Sequence, residues 1–327
     1  MKINRKISNV GIAVGFTLSI VIFTYFAIAK NWEKNEVESL SKKEQLFAES
    51  PFGALIWSQN GTIFGGGFNK WAPFPITKGE NPRWSPDGTR ILFTRGNDAW
   101  IIDKEVSNKM ILIKDVVTEY GTGAYWANGG KSVVAINRKD SRKVLLLDLE
   151  SRKIGLIHDE SAPPYHGYHF SQAAELRIDN RFFLTFTTDA GHKSMIIDLV
   201  KKKYITNNKM LQGDCGPAWT PDNQYIVMTR RNRKSLNRPI FIAKFDESAR
   251  RISASEYLIG KGWCGDVSIS NDSKYVLYSA SGDIFIWKID DRVKKPQHGV
   301  KIVDNNKSSG PNLYIFKASD LPSAFLK

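Results

Sequence analysis

Five times along the chain an aromatic or Ile residue is followed by a small polar turn and then a short apolar run. The copies begin at Trp84, Trp126, Phe170, Trp219 and Ile269, at spacings of 42, 44, 49 and 50 residues. A period in this range, with strand-like segments inside each unit, is the signature of a β-propeller with one four-stranded blade per repeat. Such a fold is a scaffold that presents loops, so the repeat constrains architecture before it says anything about chemistry.

One unit shows the pattern. Pro82-Arg83-Trp84-Ser85 reads as a first strand and Pro86-Asp87-Gly88 as a turn, where Pro presets φ, Asp bonds nearby backbone and Gly takes positive φ. RILFTR (90–95), AWIIDK (99–104) and MILIKD (110–115) follow as strands two to four. The later units repeat this as AYWA, YHFS, PAWT and VSIS, each followed by three apolar runs. Residues 54–78 supply three runs (ALIWS, GTIFGGGF, FPIT) without an opening strand, and residues 312–319 supply one strand without a blade. Joining the two ends completes a sixth blade and hides the sheet edges. The expected fold is therefore all-β: a six-bladed β-propeller over residues 51–319, closed by pairing of N- and C-terminal segments, with residues 320–327 as a tail. Gly65-Gly66-Gly67 is expected to let strands pass closely or bulge.

The segment Trp84-Ser85-Pro86-Asp87-Gly88 and its copy Trp219-Thr220-Pro221-Asp222-Asn223 resemble the repeat of TolB-like β-propellers. The resemblance covers residues 51–319. It implies a six-bladed ring acting as an exported binding scaffold of a bacterial envelope, and it does not name the partner. Three copies depart from the pattern: Trp126-Ala127-Asn128-Gly129 lacks the Asp, Phe170-Ser171-Gln172 runs into an insertion before Asp179-Asn180, and the fifth reads Ile269-Ser270-Asn271-Asp272.

Residues 10–29 form twenty uncharged residues after the basic flank of residues 1–9. As a helix they would span about 30 Å, one hydrocarbon core. Ala27-Ile28-Ala29 fits a small-x-small cleavage pattern, but the stretch exceeds the usual hydrophobic region of a signal peptide, which favours an uncleaved anchor. Either reading exports the rest, because the positive flank stays cytoplasmic. Residues 30–50 are charged and read as a linker. The expected location is the cell membrane, single-pass with the propeller on the periplasmic or extracellular side, or secreted if the segment is cleaved.

The formal net charge is +14, of which residues 31–327 carry +10. That suits acidic partners. In a propeller the fourth-to-first and second-to-third loops share one face. Asp214, Cys215, Cys264 and Asp266, with Arg230, Arg231, Arg233 and Lys234 of a long basic loop, are expected to gather there as a ligand-binding face. Arg138, Arg142 and Lys143 lie in a loop of the same kind. Cys215 and Cys264 occupy near-equivalent positions in adjacent blades. In an oxidising compartment they can form a disulfide, but free thiols are the alternative, and a Cys/His metal site is weakly signalled.

His166, His169 and His192 belong to the third unit and face the same side. Exported propellers of the oligogalacturonate-lyase type resemble this repeat and use channel-facing histidines at a metal site, so the three are weak catalytic candidates. The plain alternative is that each is a polar loop residue. No metal or other cofactor is expected. Gly129-Gly130-Lys131-Ser132 lacks the first Gly of a phosphate loop, and no Gly-x-Ser-x-Gly elbow occurs. No nucleic-acid module appears. The function expected is a monomeric, non-enzymatic scaffold for an envelope protein or anionic polysaccharide; the alternative is a lyase or hydrolase acting on an acidic saccharide.

Overall fold

The structure is a computed structural model. It describes residues 43, 47–50, 52–68, 70–118, 123–159, 170–178, 181–188, 194–198, 203–204, 214–222, 224–230, 240–246, 251–260, 264–289, 299–304 and 308–325. The segment 10–29 lies outside them, and among the described residues no helix is long and apolar enough to cross a membrane. The chain divides at residue 46/47, and the strands all belong to the unit Phe47–Lys327.

The strands run β1 (Gly53–Gln59), β2 (Thr62–Gly67), β3 (Phe74–Lys78), β4 (Glu80–Trp84), β5 (Arg90–Arg95), β6 (Asp98–Asp103), β7 (Lys109–Ile113), β8 (Ala124–Ala127), β9 (Ser132–Ile136), β10 (Lys143–Asp148), β11 (Ile154–Asp159) and β12 (Phe170–Ile178). They continue as β13 (Arg181–Thr188), β14 (Ser194–Asp198), β15 (Lys203–Tyr204), β16 (Asp214–Trp219), β17 (Tyr225–Arg230), β18 (Ile240–Asp246), β19 (Arg251–Gly260), β20 (Cys264–Ile269), β21 (Tyr275–Ala280), β22 (Asp283–Lys288), β23 (Val300–Val303) and β24 (Ser308–Ile315). Among the described residues they form antiparallel four-stranded sheets, and the fold is an all-β propeller.

Blades built from four consecutive strands number five, not the expected six: β4–β7, β8–β11, β12–β15, β16–β19 and β20–β23. The remaining four-stranded sheet is a composite, in the order β24-β1-β2-β3. Its innermost strand comes from the far end of the chain and pairs antiparallel with β1, Leu313 opposite Leu55 and Tyr314 opposite Ala54. β24 lies against β4 on one side and β20 on the other.

The repeated turn explains itself through hydrogen bonds. Ser85 Oγ donates to Asp87 Oδ1 and accepts from the Arg90 N–H at 2.9 Å, while the Thr89 N–H donates to Asp87 at 3.0 Å. Ser270 and Asp272 repeat this with Tyr275 and Lys274. At the fourth copy Thr220 Oγ1 accepts from the Tyr225 N–H and Asp222 from the Gln224 N–H, while the Thr220 hydroxyl itself donates to the Tyr225 carbonyl. Where Trp126 is followed by Ala127, which has no hydroxyl, the chain instead makes a 3-10 turn with Asn128 and Gly129 at positive φ. The third copy differs more. Phe170 opens β12, whereas Trp84, Trp219 and Ile269 close their strands, so the expected register of that unit is displaced.

Apolar side chains of neighbouring sheets meet between them. Ala54, Ile56 and Ile63 of the composite sheet pack with Trp84, Ile91, Phe93 and Ile102, and residues beyond 319 join them: Leu321 and Phe325 are buried in this cluster. Gly65 makes room for that ending, since a Cβ there would come within 2.9 Å of the Phe325 ring. At the other end, Phe47 stacks on Phe68 at 4.3 Å and the Ser50 hydroxyl bonds that of Tyr275 at 2.8 Å, so the stretch read as linker already packs on the domain from Phe47.

Two outcomes test this account. Deleting residues 312–327 removes the second half of β24 together with Leu321 and Phe325, and the sharp thermal transition followed by circular dichroism should be lost rather than shifted. Ser85→Ala should cost about 1 kcal/mol, the net worth of a hydrogen bond. Burial pushes the Asp87 carboxyl up, but bonds from Ser85 and Thr89 and the Arg90 charge outweigh it and hold the group below its usual range. Its contribution is therefore present above the usual carboxylate pKa and fades as pH falls through the lowered one. The stability gap between Ser85→Ala and the parent should narrow over that acid window.

Candidate functional site

The site is set by bulges at the head of the innermost strands. The register slips by one residue between Glu80 and Arg83 in β4, between Cys215 and Ala218 in β16, and between Gly265 and Val267 in β20. In β24 the slip falls opposite Ile56–Ser58, at Gly310-Pro311. Aligned on these slips, Asn81, Gly216, Asp266 and Gly310 are equivalent, and Gly123 stands at the same distance before Trp126. Asn81 at 52°, Gly123 at 130°, Asp266 at 30° and Gly310 at 57° all have positive φ. Left-handed backbone disfavours most side chains, and Gly, Asn and Asp bear it best. A bulge also re-aims the residues around it. Asn81 and Asp266 are the two of these four positions that carry side chains.

Two residues past each bulge lie Arg83, Tyr125, Ala218, Ser268 and Asn312. Three of these side chains reach the next innermost strand. Ser268 Oγ donates to the Pro311 carbonyl, Asn312 Oδ1 accepts from the Trp84 N–H at 2.9 Å, and Arg83 lays its guanidinium over the Tyr125 ring, 4.2 Å from the centroid. Asp266 acts in the same direction: its Oδ2 accepts from the Gly310 N–H at 3.2 Å.

Arg83 stands apart from the other stitches. Its Nε is buried and has no hydrogen-bond partner, and among the described residues no ion pair engages the guanidinium. The Asp266 carboxylate acts on it only at longer range. Burial pushes the Asp266 carboxyl up, against the Gly310 hydrogen bond and the Arg83 charge, which pull it down. A guanidinium has five N–H donors and cannot shed its charge. Stacked on an aromatic ring with an unsatisfied buried donor, it is chemically ready to take an anion.

The sequence-predicted residues fall into three groups. Asp266 is brought into this cluster. Asp214, Cys215, Cys264 and Arg230 are placed as backbone: Asp214 is directly cross-strand from Arg230, Cys215 from Thr229 in the same sheet, and Cys264 from Ala280 in the next. Their side chains, and so the disulfide, lie outside what is described. Arg231, Arg233, Lys234, His166, His169 and His192 also lie outside the described residues. Among the described residues no group of three His, Cys, Asp or Glu could hold a metal.

Arg142 and Lys143 are each paired within the chain. Both are turned on Asp140, at 2.8 and 3.6 Å. The hydrogen bonds and charge of Arg142, with Lys143, take the Asp140 carboxyl down to about 2. Arg83, Tyr125 and Asn81 form no motif of their own in the sequence, because they sit inside the repeat. Aligning the copies column by column would have exposed an Arg and a Tyr where the others carry Ala, Ser and Asn.

No protein-family profile matches the chain, and no curated protein does. Solved structures do. TolB from Acinetobacter baumannii superposes with a TM-score of 0.60 at 13% identity, covering 80% of this chain and 66% of that one. This chain thus spans just under two thirds of that protein. A structure of a nidogen/laminin complex gives a TM-score of 0.55 at 7% identity, over 80% of this chain and 98% of that one. An oligogalacturonate lyase in complex with manganese gives 0.47 at 13% identity, over 69% and 68%, too low to support an argument. These likenesses establish the propeller fold alone.

Asp266→Asn tests the electrostatics. The amide keeps an acceptor for the Gly310 N–H. Because the folded carboxyl titrates above its unfolded value, stability is full below the unfolded pKa and declines as pH rises through the folded one. The asparagine variant should escape that decline. Thermal melts across a pH series should show it gaining on the parent from acid toward neutral pH, and parallel curves would refute the assignment.

Proposed function

We propose that this protein is an exported, membrane-anchored, TolB-like propeller whose six sheets act as six blades, and that it works as a non-enzymatic binding scaffold. Residues 10–29 would be the anchor, with the propeller on the periplasmic or extracellular side. The partner is an envelope protein or an anionic glycan, engaged by a monomer. The single observation that carries the reading is Arg83: a guanidinium laid on Tyr125 among the innermost strands, with a buried donor that no protein group uses. A buried polar group without a partner costs roughly 1–3 kcal/mol and calls for an explanation. A ligand carboxylate that pairs with it supplies one. The excess of basic residues beyond residue 30 supports an acidic partner.

The Asp266 carboxylate, which feels the Arg83 charge at longer range, discourages a second anion in the cluster. That favours a partner presenting isolated acidic groups over a polymer with a charge on every unit. The basic residues Arg230, Arg231, Arg233 and Lys234 would add long-range attraction. The lyase alternative rests on His166, His169 and His192, which are known from sequence alone; a stoichiometric metal lost on replacing His166 and His169 would revive it.

The test is a pull-down from envelope extract with the tagged full-length protein in mild detergent, followed by titration of the captured partner. Arg83→Gln should weaken binding by about 10- to 100-fold, the worth of hydrogen bonds to a charged group. Reversing Arg230, Arg231 and Arg233 should slow association and flatten its salt dependence. Unaltered affinity in Arg83→Gln would remove the Arg83 cluster from the binding reading.

A further inference from the structure

We infer that Asp266 regulates the Arg83 anion site through its proton: the site holds an anion more tightly when this carboxyl is protonated than when it is ionised. The inference rests on the reading of Arg83 as an anion holder and adds to it a dependence on pH.

Three neighbouring innermost strands bring the two groups into one cluster. β20 packs on β24, and β24 on β4. Asp266 stands at the bulge of β20, and its Oδ2 accepts from the N–H of Gly310 at the bulge of β24. Gly310 in turn lies against β4, because a Cβ there would come within 3.4 Å of Asn81 Cα and Pro82 Cδ, in the two residues before Arg83. One strand therefore separates carboxylate from guanidinium. No ion pair joins them, yet each feels the other's charge. Both side chains are half-buried, so solvent can exchange the proton, while salt screens the interaction less than on an open surface.

An anion seated on Arg83 meets the Asp266 carboxylate as a like charge. It also cancels the guanidinium charge that pulls the carboxyl down, so its arrival favours the protonated form. Coupling of this kind is reciprocal, and protonating Asp266 favours the anion equally. Burial already pushes the carboxyl up, against the Gly310 bond and the Arg83 charge. The change therefore falls on the neutral side of the usual carboxylate range.

The elements around β20 carry other titratable or charged groups. Tyr275 and Tyr278 on β21 are bonded to Ser50 and to the Gly299 N–H, and Tyr314 on β24 to the Pro86 carbonyl. Glu80 is exposed at the head of β4, and β16 and β17 contribute Asp214, Cys215, Tyr225 and Arg230. The tyrosines and the arginine keep one charge state through the acid range. Asp214 and Glu80 are the other carboxyls, and they serve as controls.

The probe is benzenesulfonate, whose own charge is constant over the pH range. Its affinity for the full-length protein in mild detergent is measured by calorimetry from the usual carboxylate range to neutral pH. Affinity should rise about fivefold toward acid, the lower end of ordinary coupling between sites. Asp266→Asn should bind at every pH as tightly as the parent does in acid, and asparagine tolerates the positive φ. Asp266→Gly, which installs the residue found at the β24 bulge, should also lose the slope. Asp214→Asn and Glu80→Gln should keep it. A parent without a slope overturns the inference, and so does a slope that survives in both Asp266 variants, as titration of a histidine would leave it. The underlying reading fails differently: Arg83→Gln then binds the probe as well as the parent does, or the parent does not bind it at any pH.

Discussion

The pairing of β24 with β1 is the contact on which the rest of the molecule depends. A ring of sheets has no terminus to spare: if the composite sheet lacks its innermost strand, β1 is left as an edge and the packing on both sides of the gap loses a wall. The chain commits many bonds to this junction. Toward β20, Ser268 and Asp266 bond the backbone at Pro311 and Gly310, and Asn271 clamps Ile315 through both its N–H and its carbonyl, at 2.7 and 3.1 Å. Toward β4, Asn312 holds the Trp84 N–H, the Tyr314 hydroxyl reaches the Pro86 carbonyl, and Trp84 meets the rings of Tyr314, Phe316 and Phe325. A strand contributed from some 250 residues away pays a large closure entropy, and this density of specific contacts is what offsets it.

Closure also explains why the innermost strands are bulged. Each must turn from its loop into the ring and still present its last residues to the core between sheets. The positive-φ residue at the slip makes the turn, and the close approach it permits is visible at Gly310, where a Cβ would touch Asn81 Cα and Pro82 Cδ at 3.4 Å. Two aromatic anchors then tie sheet to sheet: Trp84 Nε1 donates to the Ala54 carbonyl at 3.0 Å, and Trp126 Nε1 to the Arg83 carbonyl at 3.1 Å. The repeat seen in the chain is thus a repeat of inter-sheet fastening as much as of strands.

That is why so much of the fold could be read without coordinates. The Trp, the Ser or Thr and the Asp each do a local job that few other residues can do, so they recur at a legible period. The third unit was misread because Phe170 looks like an anchor but opens its strand, and an aromatic residue carries no mark of which end of a strand it occupies. Leu321 and Phe325 were read as tail because burial by a glycine far upstream, Gly65, leaves no local trace. The two cysteines and Asp214 drew attention as unusual residue types, whereas Arg83 did not, although it sits one residue from the most conspicuous Trp in the chain.

The contrast among equivalent positions gives Arg83 its meaning. Where Ser268 and Asn312 stand, a short neutral side chain reaches the next strand and spends its hydrogen bonds there. A ring needs nothing longer. Arginine at that position brings a permanent charge and five donors to a task that one donor or acceptor performs elsewhere, and it binds the next strand through a ring face that uses none of those donors. Arg83 is half-buried, and its enclosed Nε without a partner is a cost that a short neutral residue at the same joint would avoid. The surplus is therefore better understood as capacity directed at something outside the chain than as part of the ring's own fastening.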